Sequence, residues 1–281
     1  MFELKVENKY GQILDFTNNG NYTISSIDGL EPPDGIINTT RSAGDDGSIY
    51  NSSYVDNRVI TITLAINQPT EINRINLYKY FKTKYPVRVY YSNDTRNVFI
   101  DGYVQTMPIG FFDKKQIAQI TIFCPKPYFR GIEDELINFS NVEALFEFPF
   151  EIEEPIPFSE LSADQEKNII NYGDVETGAL IVMKARGALL NPSFYNVETN
   201  QYFSLNISLE QGDEIQINTI KKEKSVYLIS NGVKTNIVGN IKNGSTWFQF
   251  KPGDNLFITT ADSSPENLET YVVISDQFEG V

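Results

Sequence analysis

The sequence predicts a mainly β protein: two β-rich domains in succession, with one prominent helix in the first. Three observations carry this. Aromatic residues make up 13% of the 281 residues, and aromatic and β-branched side chains favour a pleated, half-buried surface. Apolar residues alternate with polar ones in short runs, bounded by Gly, Pro, Asn and Asp. One segment alone, near residue 70, switches to helical spacing.

The first half supplies most of the strand signal. "MFELKVENKYGQIL" alternates Phe2, Leu4 and Val6 with charged residues. It reads as a strand from the second residue onward, not as a secretory leader. "RVITITLAI" puts Ile60, Ile62, Leu64 and Ile66 on one face, with Val59, Thr61, Thr63 and Ala65 on the other. "PVRVYYS", "NVFIDGYVQTM" and "KKQIAQITIFC" follow, each flanked by turn residues. Between them, "QPTEINRINLYKYFKTKYP" predicts a helix from Glu71 to Lys82. Thr70 is its expected N-cap, and Pro86 lies beyond its end. Ile72, Ile75, Tyr78 and Phe81 are expected to form the stripe that packs on a sheet.

At "FCPKPYFRG" two prolines and a glycine end the strand pattern. Acids and bases are nearly balanced up to Arg130, and acids dominate beyond it. The domain boundary is therefore expected near Arg130, giving domains over 1–130 and 131–281. In the second, "ALIVMKARGAL", "QYFSLNISL", "DEIQINTI", "KSVYLIS" and "STWFQF" read as short strands. Turns such as "SNGV" and "KPGDN" separate them at short, regular intervals, the pattern of a β-sandwich or jelly roll.

Composition excludes several functions. The net charge of −14 argues against sequence-specific nucleic-acid binding, which needs a basic face. It also argues against a polybasic membrane anchor, and no apolar run approaches the ~20 residues of a membrane span. The absence of histidine removes Ser-His-Asp and Cys-His catalysis and histidine-ligated zinc. Cys124 is the only cysteine, so an intrachain disulfide is impossible, and a buried structural thiol is expected. "AGDDGSIY" fails as a calcium loop and as a phosphate loop, because the ligand spacing and the Gly-Lys-Ser/Thr are missing. The pairs Asp45–Asp46 and Glu153–Glu154 read as solvated acids. No catalytic constellation, cofactor motif or metal spacing is found, so no enzyme activity and no cofactor are expected. Trp247 has two readings, a core indole on a strand or a platform for glycan stacking.

Taken in order, "ENKYGQIL", "ISSIDGLEPP", "AGDDGSIY", "NRVITITLAI", "YPVRVYYSN", "IDGYVQ" and "FCPKPYF" resemble the distal tail protein family of siphophages, met in tail-tip and baseplate hubs. "NYGDVETGALIVMKARGALLNPSFYN", "LEQGDEIQINT" and "STWFQFKPGDN" look like that family's carboxy-terminal galectin-like domain. Lys184 and Arg186 depart from the otherwise apolar strand that holds them.

The resemblance implies an amino-terminal β-sandwich-like domain that forms a hexameric ring, single or doubled. It implies that this ring joins the major tail tube protein to the tail-associated hub protein, inside the virion tail tip, after assembly in the host cytoplasm. It implies an outward-facing galectin-like domain that holds receptor-binding or baseplate proteins. The glycine-rich stretch then becomes a connection feeding a strand, with Gly44 and Gly47 supplying turn geometry. Arg58 shares strand parity with Ile60 and Ile62. At the mouth of the apolar face it is expected to pair with a carboxylate or to cap loop carbonyls. DNA would pass through the ring, so a lumen without excess basic charge is expected, with Lys114, Lys115 and Lys126 the candidate exceptions. The alternative is a carbohydrate-binding adhesin whose second domain grips host cell-wall glycan.

Overall fold

The computed structural model describes residues 2–111, 115–139 and 165–281, together with the backbone of Val142–Ala144 and Ser159–Leu161. Lys114, Glu153 and Glu154 lie outside the described residues. The chain divides into two compact units. The first comprises Met1–Ile132 with Gln277–Val281, and the second Glu133–Asp276. The last residues thus fold with the first unit, and the second unit is inserted within it.

The first unit contains β1 (Glu3–Asn8), β2 (Ile13–Asp15), β3 (Tyr22–Asp28), β4 (Gly35–Thr40), β5 (Ile49–Val55), β6 (Arg58–Ile66), α1 (Thr70–Tyr80), β7 (Pro86–Ser92), β8 (Asn97–Thr106), β9 (Ile117–Cys124) and β10 (Phe129–Gly131). Its main sheet runs β2-β1-β7-β8-β9-β6-β3, with β10 paired to both β8 and the final strand Gln277–Phe278. Leu4, Val6 and Leu14 from one end of this order share a core with Tyr22, Ile60, Ile62 and Leu64 from the other. The sheet therefore curves over itself into a two-layered, sandwich-like body.

The alternation read in "RVITITLAI" is the alternation observed. Ile60, Ile62, Leu64 and Ile66 are buried, and Val59 is exposed; Ala65 is the one residue of the other face that is also buried.

The helix corrects the sequence reading in two ways. Its N-cap is Pro69, and no side chain caps it. Its buried residues are Asn73 and Leu77, with Phe81 buried just past its end, whereas Ile72, Ile75 and Tyr78 are exposed. The rotation is fixed by polar anchors. The Tyr22 hydroxyl donates to the Asn73 carbonyl at 2.9 Å, and Asn73 Nδ2 donates to the Asn67 carbonyl at 3.0 Å. With these partners the buried Asn73 side-chain amide and main-chain carbonyl are both hydrogen-bonded, which avoids the penalty of burying an unpaired polar group.

The second unit holds β11 (Glu135–Asn138), β12 (Val142–Ala144), β13 (Ser159–Leu161), β14 (Gln165–Asn171), β15 (Ala179–Ala185), β16 (Leu189–Asn196), β17 (Gln201–Ser204), β18 (Ser208–Leu209), β19 (Glu214–Asn218), β20 (Ser225–Ser230), β21 (Val233–Asn236), β22 (Gly253–Ser263) and β23 (Leu268–Ile274). A six-stranded sheet β11-β23-β15-β19-β20-β21 faces a five-stranded sheet built on β14-β22-β16-β17. Between them lies an aromatic core. The Phe194 and Phe257 rings stack at 4.5 Å, and Phe139 and Phe248 meet Phe194 edge-on. The Thr259 and Thr270 hydroxyls satisfy each other inside this core at 2.7 Å. "STWFQF", read as a strand, is instead an irregular segment with one isolated bridge, Thr177 to Phe250. Its polar groups bond outward to single points, such as Thr246 N to the Tyr202 carbonyl at 2.7 Å and Gln249 Nε2 to the Thr219 carbonyl at 2.9 Å, rather than to one neighbouring strand.

Candidate functional site

The stretch holding Gly44 and Gly47 is the tip of a hairpin, not a loop that leads directly into the main sheet. β4 and β5 pair only with each other, forming a separate two-stranded sheet. Gly44 and Gly47 sit at φ +95° and +89°, the left-handed region that glycine adopts freely, and an added Cβ at either would meet open space. Asp45 and Asp46 are exposed between them. The hairpin displays Ile37, Ile49, Tyr50 and Tyr54, each more than half exposed. A lone two-stranded hairpin is marginal in water, and four such side chains on one element exceed the scattered apolar exposure of an ordinary surface.

Arg58 fastens the base of this hairpin. It is 4% exposed. Its Nη1 donates to the carbonyls of Gly29 and Glu31 at 2.6 and 2.7 Å, its Nε to that of Pro127 at 2.6 Å, and its Nη2 to that of Glu279 at 2.5 Å. The guanidinium also lies 4.7 Å from the centre of the Phe129 ring. Burial pushes its pKa down, and nearby negative groups offset part of that. The planar fork thus joins the strand that leaves the hairpin to the segment that enters it, to the link before β10, and to the chain's last residues.

Gly29 completes the clasp. At φ +88° its missing Cβ would fall 2.1 Å from the Val59 carbonyl oxygen. Sequence reading missed Gly29; the signal was its place in "IDGLEPP", a glycine directly after a strand.

Cys124 is fully buried in the core of the first unit. Burial pushes its thiol up to about 12, so it is an inert packing group. Its Sγ lies close to Gly102, where an added Cβ would approach it to 2.8 Å. Trp247 is partly buried against the second unit's core, edge-on to Phe203 at 5.0 Å. Lys224 Nζ stands 5.5 Å from the centre of its ring. Of these five residues the structure brings two pairs together: Gly44 and Gly47 share a hairpin tip, and Arg58 and Cys124 are direct partners on the adjacent strands β6 and β9; Trp247 belongs to the other unit.

Among the described residues no group of acidic, His or Cys side chains has the geometry of a metal site, and no helix is long and apolar enough to cross a membrane. Lys184 and Arg186 lie on the outer face of the six-stranded sheet, paired with Glu214 and Glu269 at 3.3 and 2.7 Å. The observed features are clasps, faces and an arm, which suit assembly.

Comparison with known proteins agrees. Residues 10–124 match the model for a phage tail protein RIFT-related domain, and residues 172–271 that for the siphovirus-type tail component, C-terminal domain. No curated protein sequence matches the chain. Among solved structures, it is similar to the SPP1 Dit protein, described as a paradigm of hub adsorption apparatus in phages infecting Gram-positive bacteria. The TM-score is 0.68 at 13% identity, over 99% of both chains. It is also similar to a chain of the phage P2 baseplate in its activated conformation with Ca, with a TM-score of 0.56 at 12% identity over the whole of both chains. At these identities the likeness is one of fold. The two domain models fall in order on the two units, with the fold matched end to end, and the chain belongs to the siphophage distal tail protein family.

Proposed function

We propose that this protein is the distal tail hub of a siphophage virion. Its first unit forms a hexameric ring, and that ring joins the tail tube to the tail-associated hub protein. The second unit stands outward as an attachment point for receptor-binding or baseplate proteins. The observation that carries this reading is the end-to-end match of both units to the SPP1 Dit fold. The exposed apolar hairpin supports it: a ring of identical subunits covers one patch of each copy with a different patch of its neighbour. In this reading the passage through the ring carries no excess of basic charge, so that DNA is not retained.

The test is the mass of the purified full-length protein across a range of concentrations. A mass six or twelve times that of one chain is expected. A monomer at all concentrations would overturn the ring.

A second reading makes the outward unit itself a glycan-binding adhesin. It is favoured by Tyr271, Gln216 and Tyr227, which the register places in one row on the six-stranded sheet.

A further inference from the structure

The first unit carries two exposed apolar surfaces that differ from each other. One is the β4–β5 hairpin, with Ile37, Ile49, Tyr50 and Tyr54. The other is the outward stripe of α1. At 3.6 residues per turn, Ile72, Ile75, Tyr78 and Lys79 lie on the side opposite the buried Asn73 and Leu77. Ile72 is 68% exposed and Ile75 53%.

Both surfaces carry unspent charge, of opposite sign. From Asp34 to Asp56 there are four acids, Asp34, Asp45, Asp46 and Asp56, and one base, Arg41. From Thr70 to Tyr85 there are four bases, Arg74, Lys79, Lys82 and Lys84, and one acid, Glu71. Glu71 is taken by Arg74 at 2.5 Å. Among the described residues, no ion pair uses the hairpin's charges or the three lysines. Lys82 stands over the rings of Tyr10 and Tyr85, where Lys9 adds a further ammonium 4.0 Å from the centre of the Tyr85 ring. Along α1 the isoleucines come first and the lysines gather at its C-terminal end. Along the hairpin the apolar residues lie on the paired strands, and Asp45 and Asp46 lie at the tip.

We propose that the hairpin of one copy lies along α1 of the next, with its acidic tip at Lys79 and Lys82. This rests on the ring reading and names the two patches that meet.

A closed ring needs two different patches on every subunit. This unit supplies two that match in polarity and in charge, so a second copy of the same chain suits each of them. Their lengths agree. The eleven residues of α1 span about 16 Å, and the six of β4 about 20 Å. The hairpin therefore covers the helix from end to end. An anionic polymer would take the lysines but leave Ile72 and Ile75 in water. In a chain of net charge −14, a local surplus of bases also fixes the direction of docking, because charge across an interface sets register and rejects the reverse arrangement.

The experiment follows mass against concentration for the full-length protein and for variants at exposed positions. Ile75→Asp should raise the concentration of half-assembly at least about tenfold, or ~1.4 kcal/mol. Asp45→Lys with Asp46→Lys should do the same, as should Lys79→Asp with Lys82→Asp. All four reversals in one chain should regain most of the wild-type assembly, since the lost pairs are rebuilt with their signs exchanged. Val233→Asp, at an exposed site of the second unit, should change nothing. Calorimetry checks that each variant folds, and the apolar and charge variants keep the test decisive if one of them does not. If wild type forms the ring and these variants assemble equally well, the docking is overturned while the ring stands. It is also overturned if the four reversals together fail to restore assembly, or if Val233→Asp weakens it as much as Ile75→Asp. A wild-type monomer at all concentrations overturns the ring and the docking together.

Discussion

Phe129 and Phe278 face each other as direct partners on adjacent antiparallel strands, although the whole second unit lies between them in sequence. Phe129 is fully buried, and Phe278 packs against the same core. The first unit therefore needs both ends of the chain. Val281 N donates to the Leu30 carbonyl at 3.1 Å, and Glu279 supplies one of the four carbonyls around Arg58.

A shortened chain ending at Arg130 loses all of this. It should melt well below the first unit of the intact protein. Joining Ile132 to Gln277 through a linker of about two to four residues, the ordinary length of a hairpin loop, should restore the pairing. Calorimetry of the two shortened chains checks this. Equal melting temperatures would show that the last strand contributes nothing to the first unit.

Arg58 is the second point of leverage. Replacing it with Ala leaves four carbonyls without their charged donor, and hydrogen bonds to a charged group contribute about 1.5–3 kcal/mol each without being additive. We expect Arg58→Ala to lower the stability of the first unit by at least ~3 kcal/mol. Arg58→Lys should recover little of this, because one ammonium cannot reach three separate segments. Trp247 lies in the second unit, so its emission provides an internal control that should not change. An unshifted calorimetric transition for the first unit would remove Arg58 from its role.

Much of this was legible in the sequence where burial and period agree. "RVITITLAI" alternates because one face is core, and it announced β6 to the residue. The helix was legible as an element but not in its rotation. Ile72, Ile75 and Tyr78 carry the apolar pattern, yet Asn73 is buried because Tyr22 and Asn67 receive its polar groups. Tyr22 comes from the distant strand β3 and Asn67 from the turn just before the helix, and no apolar period reports either. The hairpin was missed for a related reason. "IYNSSYV" has no single apolar face, since neither of its faces meets the core, so the alternation that reveals other strands is absent. At the clasp, the parity of Arg58 was readable. Its carbonyl partners were not, because main-chain groups carry no sequence signature. Gly44 and Gly47 were prominent because glycines cluster there, whereas Gly29 and Gly102 are crowded by backbone and side chains that only the fold brings near.

Cys124 makes the first unit sensitive to alkaline pH. Burial raises its thiol from an ordinary 9.0 to about 12, and the Arg58 charge offsets part of the rise. Below pH 9 the thiol is protonated in folded and unfolded chains alike, and its contribution to stability is fully present. Between pH 9 and about 12 the unfolded chain releases a proton that the folded one keeps. The balance then moves towards unfolding by up to ~1.4 kcal/mol per pH unit, and it levels off above the folded value. Cys124→Ala abolishes this limb. At pH 7 the variant should be less stable by about 1 kcal/mol, for the small cavity it leaves. From pH 9 upward that gap should shrink and then reverse. Tyrosines and lysines titrate in the same range, but they are common to both proteins and cancel in the difference. Calorimetry of both proteins in steps from pH 7 to pH 11 measures it. A gap that stays constant to pH 11, or rapid alkylation of the folded protein by iodoacetamide at pH 8, would show that the thiol is open to water.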